Sequence, residues 1–151
     1  MNFNNIISAS CSIWLCNSLA VALAGEAVSY PISITDVDTS LSGECKLLVT
    51  NPDGGYTEKD IALKEGVFEG LRLRCFLNGN ETPTARSISM SAEIPDDVIQ
   101  CHSGPSGGDI GNFTAPIIQS SLRNRNLSCK FLIAPQPFKT FIQIGPKETS
   151  G

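Results

Sequence analysis

Residues 69–78 read EGLRLRCFLN, and the alternation in them limits what the chain can become. Leu71, Leu73, Cys75 and Leu77 fall on one side of an extended backbone, and Arg72, Arg74, Phe76 and Asn78 on the other. Successive strand side chains point to opposite faces, so a period of two separates an apolar face from a polar one. A helix would scatter the same residues around its surface. The pattern predicts a half-buried antiparallel strand.

The same period recurs downstream. In SISMSAEI (87–94) the apolar set is Ile88, Met90, Ala92 and Ile94. In LSCKFLIA (127–134) it is Leu127, Cys129, Phe131 and Ile133, and in FKTFIQIG (138–145) it is Phe138, Thr140, Ile142 and Ile144. Weaker strands are expected at 28–35, 45–50, 56–63 and 113–119, with Pro31 and Pro116 pushing two of them toward sheet edges or bulges. Turn signals lie between them: NPDGG at 51–55, NGN at 78–80, PDD at 95–97 and APQP at 134–137. No helical periodicity competes after residue 24. The expected fold is all-β: a single antiparallel β-sandwich of about seven to nine strands.

Residues 1–24 differ from the rest. MNFNNIISASCSIWLCNSLAVALA contains no charged side chain and ends in Ala22-Leu23-Ala24, the small-x-small pattern of a signal peptidase site. The expectation is a signal peptide at 1–24 and a secreted domain at 25–151, although the leader lacks a Lys or Arg near its start. Cleavage would remove Cys11 and Cys16 and leave Cys45, Cys75, Cys101 and Cys129. An even number of cysteines in an exported chain predicts two disulfides, with three pairings open. Cys45, Cys75 and Cys129 each share a face with apolar neighbours, which favours bridges within a core. The sequons at Asn80, Asn112 and Asn126 are possible N-glycosylation sites, the first weakened by Pro83. The polar end, GPKETSG, predicts neither a transmembrane span nor a lipid-anchor signal in the mature chain. The expected location is secreted or at the cell surface.

The chemical readings are narrow. With 11 basic and 15 acidic residues the net charge is −4, and no basic block is present to neutralise phosphates, so nucleic acid is not expected as a partner. Cys101-His102 opens CHSGPSGGDIGNFT and resembles a thiol nucleophile beside its base. Adjacent strand residues point to opposite faces, however, and His102 is the one His in the chain, so no catalytic residue is assigned. The following glycines lack both the Walker lysine and the dinucleotide spacing, and read as an exposed loop. Asp36, Asp38, Asp96, Asp97 and Asp109 fit turns better than a calcium loop, and no metal or other cofactor is expected. Arg72 and Arg74 are the candidate ligand contacts: with Lys46 and Lys130 they would form a basic stripe if their strands are neighbours. Arg123 and Arg125 fall in an expected turn.

The cysteine strand in GLRLRCFLNGNETPT, together with NFTAPIIQSSLRNRNLSCKFLIAPQPFKTFIQIGP, resembles the cysteine-rich β-sandwich domains of apicomplexan surfaces. These are the surface-antigen-related proteins of Toxoplasma-like coccidians and the six-cysteine proteins of malaria parasites. The chain departs from them in having four mature cysteines rather than six and no anchor signal. The resemblance implies an adhesion domain and transfers no site residue. The expected role is recognition of an extracellular protein or glycan by a non-enzymatic domain. A secreted hydrolase or hydrolase inhibitor, and a self-associating coat component, are the alternatives.

Overall fold

The computed structural model describes residues 29–93, 99–107 and 111–146. The leader at 1–24, Asp96, Asp97 and Asp109 lie outside the described residues. Among the described residues ten strands form: β1 (Tyr30–Thr35), β2 (Gly43–Thr50), β3 (Tyr56–Ala62), β4 (Gly66–Gly70), β5 (Arg72–Leu77), β6 (Arg86–Glu93), β7 (Ile99–Pro105), β8 (Ile117–Arg123), β9 (Asn126–Ile133) and β10 (Thr140–Pro146). They build two five-stranded sheets, ordered β4-β1-β6-β9-β8 and β3-β2-β5-β10-β7. Every pairing is antiparallel. The chain changes sheet at each connection except the hairpins β2–β3 and β8–β9. The protein is therefore an all-β sandwich.

The alternation turns one face of each sheet inward. Ile32, Ile34, Ile88, Met90, Phe131 and Ile133 from the first sheet meet Leu73, Leu77, Ile142 and Ile144 from the second in one buried cluster. Burying such a side chain contributes about 1.5–3 kcal/mol. Both disulfides are anchored in this layer. Cys45–Cys75 joins neighbouring strands β2 and β5, where the two residues lie directly opposite. Cys101–Cys129 joins β7 to β9 and so ties one sheet to the other. All four predicted cysteines are bridged, and such bonds fit an oxidising, extracellular setting. Among the described residues no helix is long and apolar enough to cross a membrane.

Several boundaries differ from the sequence expectation. The run at 69–78 is two strands in different sheets, broken at Gly70-Leu71. Gly70 is buried, and a Cβ there would stand 2.6 Å from Leu47 Cδ1 and 2.9 Å from the Leu48 carbonyl oxygen. The chain can turn the corner between sheets only because that volume is empty. Pro31 lies in β1, which is an interior strand and not an edge. It is tolerated because the β6 ladder begins one residue later, at Ile32. The strand expected at 113–119 runs instead from Ile117 to Arg123, after Pro116. Its hairpin closes through Asn124 and Arg125, both at positive φ (50° and 67°), the type I′ turn whose twist suits paired strands. β7 was hidden by His102, Gly104 and Pro105, which resemble turn residues; it forms because its backbone pairs with β10 from Ile99 to Pro105.

Candidate binding face

Because Leu73, Cys75 and Leu77 point inward, β5 presents Arg72, Arg74 and Phe76 on the outer face of its sheet. Register carries this face across all five strands. Asp60, Lys46, Arg74, Gln143 and His102 stand in one row from β3 to β7. The next row reads Ala62, Glu44, Phe76, Phe141 and Gly104, and the row on the other side includes Glu58, Leu48 and Arg72.

The side chains of these rows hold one another. The Arg74 Nε–H donates to Gln143 Oε1 at 2.6 Å, and its guanidinium lies 5.0 Å from the centroid of the Phe141 ring. His102 stacks on the same ring, centroids 5.5 Å apart and tilted by 54°. Gln143 is only 3% exposed although it is on the outward side. The Phe141 ring occupies the space above Gly104, where a Cβ would approach Cε2 to 2.8 Å. The Arg72 stem covers Gly145 in the same way, at 2.6 Å from its Cγ. Glycines in β7 and β10 thus let large side chains lie flat along the sheet.

The charges are ordered. Lys46 Nζ pairs with Asp60, and Arg72 Nη2 lies 3.4 Å from Glu58 Oε2. The hydrogen bond from Lys46 to Asp60 raises the lysine above its ordinary pKa. The face therefore has a basic and aromatic centre at Lys46, Arg72, Arg74, Phe76 and Phe141, flanked by the carboxylates of Glu58 and Asp60 on β3 and Glu44 on β2. Water screens pairs this exposed, so they order the surface more than they stabilise the fold. At the end of these strands an open groove of 710 Å³ is lined by Ser42, Glu44, Lys46, Phe76, Asn78 and Lys139, among others.

The structure brings together Arg72, Arg74 and Lys46, as the stripe required. Lys130 does not join them: it is on β9, on the outer face of the opposite sheet. Lys46 follows Cys45 as Lys130 follows Cys129, so the two look alike in sequence, but sheet membership separates them. His102 faces outward while Cys101 turns toward Ile144's side of the sheet and is bonded to Cys129, so the pair forms no thiol–imidazole couple. Among the described residues no group of three or more His, Cys, Asp or Glu side chains is arranged to hold a metal ion. Asp38 instead accepts from the Ser40 amide and hydroxyl at 3.0 and 2.8 Å and faces Arg86 at 3.4 Å. These contacts, the Ser40 amide first, hold its carboxyl below the usual range.

The three sequons meet different surroundings. Asn112 and Asn126 are exposed. Asn80 is 4% exposed, and its Nδ2 donates to the carbonyls of Thr84 at 3.0 Å and Ile133 at 2.8 Å. Its Oδ1 accepts from the Thr82 amide and hydroxyl at 3.1 and 2.6 Å. The backbone carbonyl of Asn80 accepts from the Gln136 amide, and the Gln136 side chain exchanges two hydrogen bonds with the backbone of Thr114. Asn80 and Gln136 thus clasp three connections at one end of the sandwich. The sequence carried no signal for this beyond a sequon and a proline-flanked glutamine. A glycan on Asn80 would replace one of those two donors.

Comparison with protein families, with curated proteins and with solved structures finds no match to this chain.

Proposed function

We propose that this chain is a secreted or surface-displayed binding domain that recognises an extracellular protein or glycan through the outer face of the β3-β2-β5-β10-β7 sheet. One observation carries the reading: Lys46, Arg74, Gln143 and His102 form a continuous row over Phe76 and Phe141. Guanidinium and amide groups offer directional hydrogen bonds, and flat aromatic rings supply apolar area at low entropic cost. Because packing and hydrogen bonds already restrain Arg74 and Gln143, little further ordering is needed on binding. The neighbouring groove, with Phe76 beside Lys46 and Lys139, extends the same surface. The reading needs no catalytic group and no cofactor. It agrees with the adhesion role implied by the resemblance to apicomplexan surface antigens.

The test is a screen of the purified domain against a glycan array and a panel of cell-surface proteins, repeated with Arg74→Ala and Phe76→Ala. Each variant should weaken the ligand found by at least about tenfold, equivalent to about 1.4 kcal/mol. Binding that survives both, and is lost on altering Lys130 or Gln119 on the opposite sheet, would refute the assignment.

A further inference from the structure

The two sheets have four edges: β4 and β8 in one, β3 and β7 in the other. An edge strand presents unpaired amides and carbonyls, and proteins usually blunt it with charge, proline or brevity. β3 carries Glu58-Lys59-Asp60 in succession. β4 has five residues, two of them glycine, and includes Glu69. β7 ends in Gly104-Pro105. β8, IIQSSLR, has seven residues with no internal proline or glycine and no charge before Arg123. It also exposes large apolar side chains, Ile117 at 61% and Leu122 at 53%. Leu122 is aligned with Leu127, which is only 8% exposed, so it lies on the core side of its sheet yet remains open to solvent.

The strand is self-complementary about Ser120. The β8–β9 turn closes on Arg123 and Asn126, so the hydrogen-bonded pairs of the hairpin alternate from there. The amides and carbonyls of Ile118, Ser120 and Leu122 consequently face the free edge. An antiparallel copy centred on Ser120 would set these same three residues against one another, with about six backbone hydrogen bonds. Ile118 would then lie opposite Leu122 of the second copy, and Gln119 opposite Ser121. We propose that β8 is a homodimer seam, through which two copies of this chain join their sheets edge to edge about a two-fold axis midway between their Ser120 residues.

Such an axis is perpendicular to the joined sheet, so both β3-β2-β5-β10-β7 sheets lie on the same side of it. The two candidate binding faces would point in one direction, a geometry suited to a surface that repeats its ligand. The seam itself does not depend on the binding role and is measured without ligand.

Sedimentation velocity on the purified chain, with N-glycans trimmed, tests the proposal. Mass should double with rising concentration. Ser120→Pro removes only an outward amide, and Leu122→Lys places a charge against the apolar pair; each should raise the dimer dissociation constant at least tenfold. Circular dichroism and the absence of free thiols identify variants that remain folded. Val67→Lys, on the other edge of the same sheet, should leave the dimer intact. A chain that is monomeric at every concentration, a dimer that survives both β8 substitutions, or a monomer that captures an unrelated extended peptide at this edge overturns the seam.

Discussion

The outer faces of the two sheets are built on the same inward pattern and differ in almost everything else. On the β5 face, Arg74, Phe141, His102 and Gln143 touch and restrain one another. On the β6 face, one row crosses all five strands as Val67, Ser33, Ser91, Ser128 and Ser121. Serine side chains are short and uncharged, so that row presents no preset arrangement of charge. The inward halves of both sheets are alike in being built largely from isoleucine, leucine and cysteine, with Tyr30, Met90 and Phe131 all contributed by the first sheet. Core packing specifies the sandwich, whereas the outward residues make one face chemically distinct from the other.

The largest effect should come from separating the faces. Replacing Cys101 and Cys129 together by Ser removes the bond between sheets, and replacing Cys45 and Cys75 removes one within a sheet. The bridges close loops of similar sequence separation, 28 and 30 residues. Chain entropy alone predicts nearly equal losses of about 2–5 kcal/mol in denaturant unfolding. A clearly larger loss for Cys101–Cys129 would show that the cross-sheet position stabilises the native packing as well. Next comes the Asn80–Gln136 clasp at one end of the sandwich. Asn80→Ala removes the side-chain donor to the buried Ile133 carbonyl and leaves Thr84 only the Thr82 hydroxyl, and should cost about 1–3 kcal/mol by the same measurement. A loss below 0.5 kcal/mol would make the clasp dispensable.

The comparison between faces is sharpened by paired substitutions. Arg74→Ala should impair ligand recognition, while Ser91→Ala and Ser128→Ala should change stability by about 0.5 kcal/mol or less and leave recognition alone. The smallest effect is in pH. Asp38 is held low in pKa, so its contribution is present above the unfolded value and is lost as pH falls through the folded one. Lys46 is held high, so its contribution is present below the unfolded value and is lost as pH rises through the folded one. Thermal melts should therefore weaken slightly at the acid end through the β1–β6 side and at the alkaline end through the β2–β3 side. Asp38→Asn should flatten only the acid limb, and Lys46→Met only the alkaline one. Either variant flattening both limbs would contradict the assignment of the two groups.

Much of the core was legible before the fold was seen. Leu73, Cys75 and Leu77 in β5, Ile88, Met90 and Ala92 in β6, and Leu127, Cys129, Phe131 and Ile133 in β9 are all buried where their alternation placed them. The corner at Gly70 was not legible, because alternation continues through it and only the proximity of Leu47 and Leu48 demands a glycine. Nor was β7, whose composition argues for a turn and whose strand state depends on β10. Arg72 and Arg74 could be identified as outward from their own strand. Phe141, Gln143 and His102 could not be joined to them, since their contacts span sequence separations that no local pattern encodes.

The sequence by itself determined which side chains turn inward, because that depends on a period of two set by strand geometry and on the aversion of apolar groups for water. It also determined that four cysteines, Cys45, Cys75, Cys101 and Cys129, lie in the strand-patterned part of the chain. Only the tertiary structure decided which strands became neighbours, and with that the Cys45–Cys75 and Cys101–Cys129 partners, the company kept by Arg74, the placement of Lys130 on the far face, and the open edge at β8. Those outcomes rest on register and sheet order. They are settled by the packing of the whole chain around one core.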